Sequence, residues 1–367
     1  MSTLPQSRAV SVSPQRSAGR ADPEIPRAFL SGWGKVPVVP GSELRSVDLV
    51  ELSADLKLAR GLGRAYGDAA LPAPGDLRVG GTRLADRILS FDANTGVLTA
   101  EAGLSLDHIY QVFLRRGFFT PVSPGTRFVT LGGMVACDVH GKNHHREGCF
   151  GRHVVSLKLR VGDGRIIDCS RTEHPDLFLA TIGGMGLTGP ILEVTVQLAR
   201  VPSPWIYEER EQVPDIDRFI EKLKAAAAEW PMTVGWIDCL AKGSATGRGV
   251  IIRGRWARPD EAPPEFPRGR RQLSVPIEMP TAFLQPVFVR TFNAVNYWWH
   301  SSGRQGRVIH PQAFFYPLDS IENWRRLYGH RGRCCTRSRA VPLPSPSPRT
   351  TTRWTSRCSC ALRPSCT

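Results

Sequence analysis

Residues 121–145 read PVSPGTRFVTLGGMVACDVHGKNHH, where glycines and small apolar residues run directly into a polar cluster. The small residues after Gly132 and Gly133 allow a flat ligand to lie directly on the backbone. The polar cluster comprises His140, Lys142, Asn143, His144 and His145. Histidines at this density suggest a metal, but no carboxylate pair accompanies them and a glycine-rich loop imposes no helical spacing on them. We therefore predict a ligand-binding loop that holds no metal.

A second glycine-rich stretch lies upstream, where residues 59–68 read ARGLGRAYGD. Its glycines let backbone N–H groups point into a concavity, which is a nest for an anion. Arg60 and Arg64 add fixed positive charge suited to a pyrophosphate. The stretch is not the Rossmann fingerprint, because the preceding strand is short and no amphipathic helix follows. A plain glycine-rich turn between strands is the alternative interpretation.

The remaining pattern predicts short strands with a few helices, which indicates an α+β fold. We expect hairpins at 88–101 and 154–169, a helix that Ser105 caps and Gly117 ends, a strand at 191–198, a helix at about 215–230, strands at about 233–239 and 249–256, and a loop at 260–280. A third glycine-rich stretch, GGMGLTG at 183–189, leads into the strand at 191 and also suits close approach of a cofactor.

Composition places the chain among globular proteins, since 41% of its 367 residues are hydrophobic and 22% are charged. No run approaches the roughly 18–20 apolar residues of a membrane span, so we do not expect an integral membrane protein. Residues 1–27 are rich in Ser, Arg and Pro without an apolar core, so we expect a disordered tail and no secretory signal. Aromatic residues become dense after residue 200, where we place a boundary between domains at 28–200 and 201–332.

Residues 333–367 differ from the rest, because they hold seven arginines, five cysteines and no carboxylate. Their cysteine spacing is not that of a zinc site, and a nucleic-acid arm is usually Lys- and Gly-rich without so many thiols. We therefore expect no nucleic-acid partner, although a basic tail is the one feature that favours such a partner. We interpret this segment as a non-native tail produced by a frame-shift shortly after Gly332.

The three glycine-rich stretches together resemble the FAD-binding, vanillyl-alcohol-oxidase type of flavoprotein, over roughly residues 32–332. The sequence HGKNHH at 140–145 is the most specific part of the resemblance. The resemblance implies a PCMH-type FAD-binding domain of two small α+β subdomains, followed by an antiparallel-sheet substrate domain that is incomplete here. It assigns contacts with FAD to Ala59, Arg60, Gly61, Leu62, Gly63, Arg64, Ala65, Tyr66, Gly67, Asp68, Ala69, Gly125, Thr130, Leu131, Gly132, Gly133, Cys137, Asp138, Val139, His140 and Ile191.

The same resemblance assigns catalytic roles to Tyr66, His140 and Lys142, with Tyr66 near the isoalloxazine and the other two on the substrate side. Oxidation of an alcohol needs a base for the hydroxyl proton, and histidine has a suitable ordinary pKa. Lys142 is expected to hold a substrate phosphate or a developing negative charge. The resemblance places Trp236 and Tyr297 in the substrate pocket. In the alternative interpretation, Tyr66 and His140 only pack against the ring, and Trp236 and Tyr297 only pack in the core.

Cys137 is expected to be a small buried residue, since nothing in the sequence places a thiolate-stabilising group beside it.

Within the flavoprotein family, the resemblance is to members that oxidise the 2′-hydroxyl of a polyprenylphosphoryl-β-D-ribose to a ketone. This step is the first half of an epimerisation to the arabinose donor for cell-wall arabinan, and a separate NAD(P)H-dependent keto-reductase completes it. The alternatives are a general FAD-linked sugar or alditol oxidase and an inactive truncation product. We expect a cytoplasmic protein or one peripheral at the cell envelope. Residues 254–299 could contact the membrane, although a solvated loop is the alternative there.

We predict that FAD is bound non-covalently, because the stretch GRAY at 63–66 lacks the histidine that carries flavin in many relatives. Acid precipitation of the flavin-loaded protein should release all of the yellow colour into the supernatant. Colour retained in the pellet would contradict this prediction.

Overall fold

The structure, a computed structural model, describes residues 28–328 apart from 36, 57, 74, 270–271, 281–283 and 300–305. The two expected tails, residues 1–27 and 333–367, lie outside the described residues. The helices are α1 (Leu49–Ala54), α2 (Leu106–Phe113), α3 (Leu131–Ala136), α4 (His144–Glu147), α5 (Pro175–Thr181), α6 (Ile216–Glu229), α7 (Pro286–Trp299) and α8 (Pro311–Phe315).

Among the described residues, the strands form three main sheets and two short pairs. They are β1 (Ala28–Ser31), β2 (Val38–Arg45), β3 (Ala59–Arg60), β4 (Arg78–Gly81), β5 (Ile88–Phe91), β6 (Val97–Glu101), β7 (Phe118–Phe119), β8 (Val154–Arg160), β9 (Ile166–Ser170), β10 (Ile191–Gln197), β11 (Ala199–Arg200), β12 (Ile206–Val213), β13 (Met232–Ile237), β14 (Gly249–Trp256), β15 (Leu273–Ser274), β16 (Arg307–Ile309) and β17 (Ile321–Glu322).

The first sheet positions the ARGLGRAYGD stretch. Its strand order is β1-β2-β4-β3, with β1 antiparallel to β2 and with β4 parallel to both β2 and β3. The short strand β3 supplies only Ala59 and Arg60, and the chain then leaves the sheet as a loop. This sheet has a small core of its own, formed by Leu30, Leu71 and Val79.

The second sheet is antiparallel, with strand order β5-β6-β10-β8-β9. It confirms the expected hairpins at 88–101 and 154–169. Along β10, Leu192, Val194 and Val196 alternate into the core, as side chains on successive residues of a strand must. On the opposite face, Glu193 pairs with Lys158 at 2.9 Å.

Helix α2 also forms as predicted. The Ser105 hydroxyl accepts a hydrogen bond from the His108 N–H at 3.1 Å, which satisfies one of the free donors at the helix start. Gly117, with φ of 75°, ends the segment in the left-handed conformation that glycine adopts without strain. The buried residues Leu106, Ile109, Tyr110 and Phe113 face the core.

The third sheet is antiparallel, with strand order β13-β14-β12-β16. Helix α6 covers one of its faces through a core of Val213, Phe219, Ala226 and Ile251. The expected helix and strands at 215–256 are therefore confirmed. The other face carries Ile206, Met232 and Trp256, which join the main core that also contains Phe315 and Tyr316.

The expected loop at 260–280 contains a short strand, β15, which pairs in parallel with β17. The Arg326 guanidinium holds this segment by donating to the Val275 and Pro276 carbonyls at 2.7 and 2.9 Å. Because both partners lie about fifty residues downstream, local periodicity could not indicate the pairing. All of the described residues fall within one unit, residues 1–336. The domain boundary near residue 200 stays a prediction.

Candidate functional site

The loop after β3 exposes a run of backbone donors. Among the described residues, no protein acceptor takes a hydrogen bond from the backbone N–H groups of residues 62–69. The Ala65 carbonyl accepts a hydrogen bond from Trp33 N–H at 2.9 Å, which anchors the loop from its other side. Gly63 has φ of 65°, a conformation that turns successive N–H groups inward. These free donors suit an anion.

The two arginines of this loop have different environments. The buried Arg60 guanidinium donates to the Ser31 carbonyl at 2.7 Å and to the Ala70 carbonyl at 3.0 Å. It also lies 3.5 Å from the Glu43 carboxylate. Arg60 therefore holds the loop and its charge is balanced within the protein, so it would meet a ligand through its backbone. Arg64 is exposed, with its guanidinium 5.2 Å from the Phe128 ring.

The loop after β3 lies directly against the start of α3. A Cβ atom added at Gly61 would lie 2.5 Å from Thr130 Oγ1, so only glycine permits this approach. Thr130 is itself fixed, because its hydroxyl accepts a hydrogen bond from Gly133 N–H at 3.2 Å and caps α3. A Cβ at Gly132 would lie 2.9 Å from the Ala102 side chain. The predicted cofactor residues on either side of this contact are therefore neighbours in space.

The expected polar cluster follows α3. Asp138, with φ of 40°, turns the chain, and its carboxylate accepts a hydrogen bond from Gly151 N–H at 2.8 Å. The exposed His140 ring lies 6.0 Å from that of His144 in a perpendicular arrangement. The Asn143 amide donates to the Pro121 carbonyl at 2.7 Å and fixes the loop. No group of three His, Cys, Asp or Glu residues in the described part of the chain is arranged to hold a metal.

Cys137 corrects one expectation, because it is exposed rather than buried. It ends α3, and its backbone N–H is bonded to the Gly133 carbonyl at 3.1 Å. The end of a helix leaves the side chain at the surface even where the preceding turn is buried. The residues before it, Met134 and Val135, are fully buried.

Lys142 connects the polar cluster to the third sheet. Its ammonium donates to the Phe315 carbonyl at 3.2 Å and lies 5.8 Å from the centre of the Phe314 ring. Its own carbonyl accepts a hydrogen bond from Thr233 N–H in β13 at 2.9 Å. Burial lowers the pKa of the ammonium to about 8, because charge is costly away from water.

Trp236 and Tyr297 lie over one face of the third sheet. Trp236 pairs with Val250, and Val250 pairs with Gln212, so these three side chains form a row on the same face. The Gln212 amide donates to the Tyr297 carbonyl in α7. Trp236 lies three residues, or about 10 Å, along β13 from Thr233, whose N–H donates to the Lys142 carbonyl. Both predicted substrate residues therefore lie at the third sheet, which Lys142 contacts at its β13 edge.

A cavity of about 500 Å³, which was not predicted from the sequence, lies beside the third sheet. Its lining includes Arg127, Arg210, Arg307, Tyr316 and Asp319. The buried Glu208 carboxylate pairs with Arg210 at 2.9 Å and with Arg307 at 2.7 Å. The strand sequence IYEEREQV could have indicated that Glu208 and Arg210 share the inward face with Ile206, since they alternate along β12.

Another missed contact joins distant parts of the chain. The Ser123 and Tyr316 hydroxyls are 2.7 Å apart, and burial raises the pKa of Tyr316 far above its usual range. The Asp319 carboxylate accepts a hydrogen bond from Arg127 N–H at 2.8 Å. No local signal precedes these contacts, because nearly two hundred residues separate the partners.

These features fit FAD. The free N–H groups of residues 62–69 and the exposed Arg64 suit its pyrophosphate. Gly132 is required by the packing of α3 against Ala102, whereas a Cβ at Gly133 would meet only Thr130 Oγ1, so the backbone at Gly133 suits a flat ring.

Comparison with known proteins agrees with this fit. Residues 36–170 match the family model described as an FAD binding domain. The chain is 33% identical to the decaprenylphosphoryl-beta-D-ribose oxidase of Mycolicibacterium smegmatis over 83% of its own length and 69% of that protein. It is 36% identical to an uncharacterized Streptomyces coelicolor protein of the mprA 5′ region, over 48% of the chain and 49% of that protein. It is also 30% identical to the L-gulonolactone oxidase of Mus musculus, over 30% of the chain and 25% of that protein.

The fold, the glycine loops and these relatives define an FAD-dependent oxidoreductase that acts on CH–OH groups. The resemblance drawn from the sequence is confirmed, as is the α+β fold. Within that class, the chain belongs to the family of decaprenylphosphoryl-β-D-ribose oxidase.

Lys142→Met tests whether the ammonium is buried as the structure indicates. Between pH 8 and the ordinary lysine pKa of about 10.4, the unfolded chain binds a proton that the folded chain has released, so wild-type stability rises with pH. The stability of the variant relative to wild type should therefore fall by about 2 kcal/mol between pH 7 and pH 10. Urea unfolding at each pH measures this difference.

Lys242→Met, at an exposed lysine, serves as the control. Its stability relative to wild type should change little between pH 7 and pH 10. A pH-independent difference for Lys142→Met would contradict the burial of the ammonium.

Proposed function

We propose that this protein oxidises the 2′-hydroxyl of a polyprenylphosphoryl-β-D-ribose to the 2′-ketone. FAD, when bound, accepts the hydride from the carbon that carries the hydroxyl. The observation that carries the proposal is the position of His140 and Lys142. Both follow helix α3, against whose start the predicted pyrophosphate loop packs, and Lys142 contacts the sheet that bears Trp236. The name of the mycobacterial relative supports the choice of substrate.

His140 is proposed as the base that takes the hydroxyl proton. Its side chain is exposed at the start of the polar cluster, so a substrate hydroxyl can reach either ring nitrogen. Its backbone is fixed by a bridge to Cys149, which limits where the ring can point. Tyr66 is exposed and lies 5.3 Å from the Trp33 ring, and we propose that it borders the isoalloxazine.

Lys142 is proposed to hold the negative charge of the substrate. An ammonium has three N–H donors, and the Phe315 carbonyl takes one of them. The low-dielectric surroundings that lower its pKa would also strengthen its attraction to a phosphate or to an oxygen that gains charge. A bound anion would in turn favour the charged form of Lys142.

Trp236 and Tyr297 are proposed to border the sugar and the first part of its lipid. The row formed by Trp236, Val250 and Gln212 offers an aromatic ring and an amide on either side of Val250, a combination that suits a sugar and an apolar chain. The ring of Tyr297 is held by the Arg248 guanidinium, 5.1 Å away. Packing alone would explain this tyrosine equally well, so the pocket assignment depends on Trp236.

The proposed pathway needs further partners. A ketone at the 2′ position must be reduced from the other face to complete an epimerisation, so we propose a separate NAD(P)H-dependent keto-reductase as the next enzyme. The substrate carries a polyprenyl chain, so we propose peripheral contact with a membrane. Among the described residues, no helix is long and apolar enough to cross a bilayer.

A general sugar or lactone oxidase is the second candidate, because the chain is also similar to the mouse L-gulonolactone oxidase. Oxygen uptake with simple polyols or sugar lactones, in the absence of any lipid-linked substrate, would favour it.

His140→Ala tests the proposed base. Loss of a general base lowers turnover by about 10²–10⁴-fold, while the exposed ring should contribute little to flavin retention. Reduction of the bound flavin by polyprenylphosphoryl ribose measures turnover, and the flavin absorbance of the purified protein measures occupancy. His108→Ala, at an exposed histidine on α2, is the matched control and should change neither quantity.

Equal losses of flavin and turnover in His140→Ala would make this histidine a packing residue for the cofactor. The proposed role as a base would then be wrong.

A further inference from the structure

Two arginines line the cavity beside the third sheet, Arg210 on β12 and Arg307 on β16. We call these two side chains the arginine wall. Their guanidiniums share a single oxygen of the buried Glu208 carboxylate, which accepts from Arg210 Nε at 2.9 Å and from Arg307 Nε and Nη2 at 2.8 and 2.7 Å. Because one carboxylate serves both guanidiniums, the arginine wall keeps an excess of positive charge.

The arginine wall also keeps free hydrogen-bond donors. A guanidinium carries N–H groups on each of its nitrogens, and Glu208 engages only the Nε group of Arg210. Among the described residues, no protein acceptor takes a hydrogen bond from the Nη nitrogens of Arg210 or from Nη1 of Arg307. The fork of N–H groups on a guanidinium matches the oxygens of a phosphate. The arginine wall therefore fits an anionic group that enters the cavity.

The rest of the cavity lining comes from other elements and includes a carboxylate. Asp319 lines the cavity, and its carboxylate accepts a hydrogen bond from Arg127 N–H at 2.8 Å. The guanidinium of Arg127 is itself paired with the Asp107 carboxylate at 2.6 Å, so it adds little free charge. A carboxylate with remaining lone pairs can accept a hydrogen bond from a hydroxyl. The lining thus suits a ligand that carries both a phosphate and hydroxyl groups.

The arginine wall lies on the face of the third sheet that carries Trp236. Side chains alternate along β12, so Arg210 and Gln212 point to the same side of the sheet. Gln212 belongs to the row that also contains Trp236, and Arg210 lies two residues, or about 7 Å, along the strand from it. The cavity is therefore next to the proposed sugar site.

We propose that the arginine wall is a specificity site for the phosphate of a phosphorylated sugar. Arg210 and Arg307 would donate their Nη–H groups to phosphate oxygens, and Asp319 would accept from a sugar hydroxyl. This inference rests on the proposed function, in which the sugar is the ribose of a polyprenylphosphoryl ribose. A soluble sugar phosphate offers the same chemistry. With the phosphate held here, Lys142 serves the oxygen that gains charge during oxidation.

Arg210→Gln removes half of the arginine wall without leaving a buried charge alone. Arg307 still pairs with Glu208 through two hydrogen bonds, so the carboxylate keeps a partner. If the arginines only tie β12 to β16, the variant should lose stability and keep its affinity for substrate. If they hold a phosphate, its affinity for phosphorylated ligands should fall as well.

The first experiment is steady-state oxidation of a short-chain prenylphosphoryl ribose by the full-length, flavin-loaded protein. We expect Arg210→Gln to raise KM by about tenfold or more and to change kcat by less than about twofold, since the phosphate contact is the same in the bound substrate and the transition state. Arg210→Lys keeps the charge without the fork of N–H groups, so it should raise KM by less.

The matched control is Arg253→Gln, on the opposite face of the same sheet. Arg253 shares the Glu211 carboxylate with Lys222, so its removal also leaves that carboxylate one cationic partner. This variant should lose about as much stability in urea as Arg210→Gln and should keep the wild-type KM. An unchanged KM in Arg210→Gln, or an equal rise in both variants, would overturn the proposal.

The second experiment measures binding directly and identifies the source of the phosphate. The flavin-loaded protein is titrated in a calorimeter with short-chain prenylphosphoryl ribose, with ribose 5-phosphate and with ribose. Binding of prenylphosphoryl ribose that weakens about tenfold in Arg210→Gln would assign the site to the lipid-linked sugar. Such a loss for ribose 5-phosphate alone would assign it to a soluble sugar phosphate. If neither ligand binds in a way that depends on Arg210, the proposal is wrong.

Failure of the proposed function gives a different result. Binding of prenylphosphoryl ribose through Arg210, without reduction of the flavin, would support the phosphate site and contradict the proposed function alone. The flavin absorbance of the purified variants tests whether the cofactor uses the cavity instead. Loss of flavin in Arg210→Gln but not in Arg253→Gln would assign the arginine wall to a phosphate of FAD and overturn the proposal.

Discussion

The close approach of two stretches of backbone underlies the whole candidate site. Gly61 lies so near Thr130 that no side chain fits between them, and Thr130 at the same time caps α3. The contact joins the loop after β3 to the start of α3, and the free N–H groups of residues 62–69 follow directly from it in the chain. Because α3 leads directly into the polar cluster, the positions of His140 and Lys142 follow from the same contact.

A second constraint connects this cluster to the third sheet. Lys142 donates to the Phe315 carbonyl, and its own carbonyl accepts from β13, so one residue bridges two parts of the chain. Around it, the Phe119 ring lies 5.3 Å from those of both Trp256 and Phe315, which joins the sheets through a shared apolar core. The lowered pKa of Lys142 is a consequence of this packing. A site that must attract an anionic substrate gains from such burial, since the charge is poorly screened there.

Local patterns in the sequence were sufficient for the regular elements, because capping and alternation act over a few residues. Ser105 and the apolar spacing after it identified α2, and the strict alternation after Ile191 identified β10. The three glycine stretches identified the family and its cofactor. The environments of individual side chains were harder to predict, because they depend on distant partners. The Ser31 and Glu43 contacts of Arg60 and the pairing of Ser123 with Tyr316 join residues that no local pattern relates.

The most direct test of the flavin site is the equilibrium affinity for FAD of Gly61→Ala, followed by quenching of flavin fluorescence. A methyl group at this position must push the loop away from Thr130, at a cost of about 1–3 kcal/mol. We expect FAD binding to weaken by about tenfold or more. Gly34→Ala, where a Cβ atom would meet nothing within 4 Å, should bind FAD like wild type. Equal affinity in Gly61→Ala and Gly34→Ala would contradict the placement of the flavin pyrophosphate in this loop.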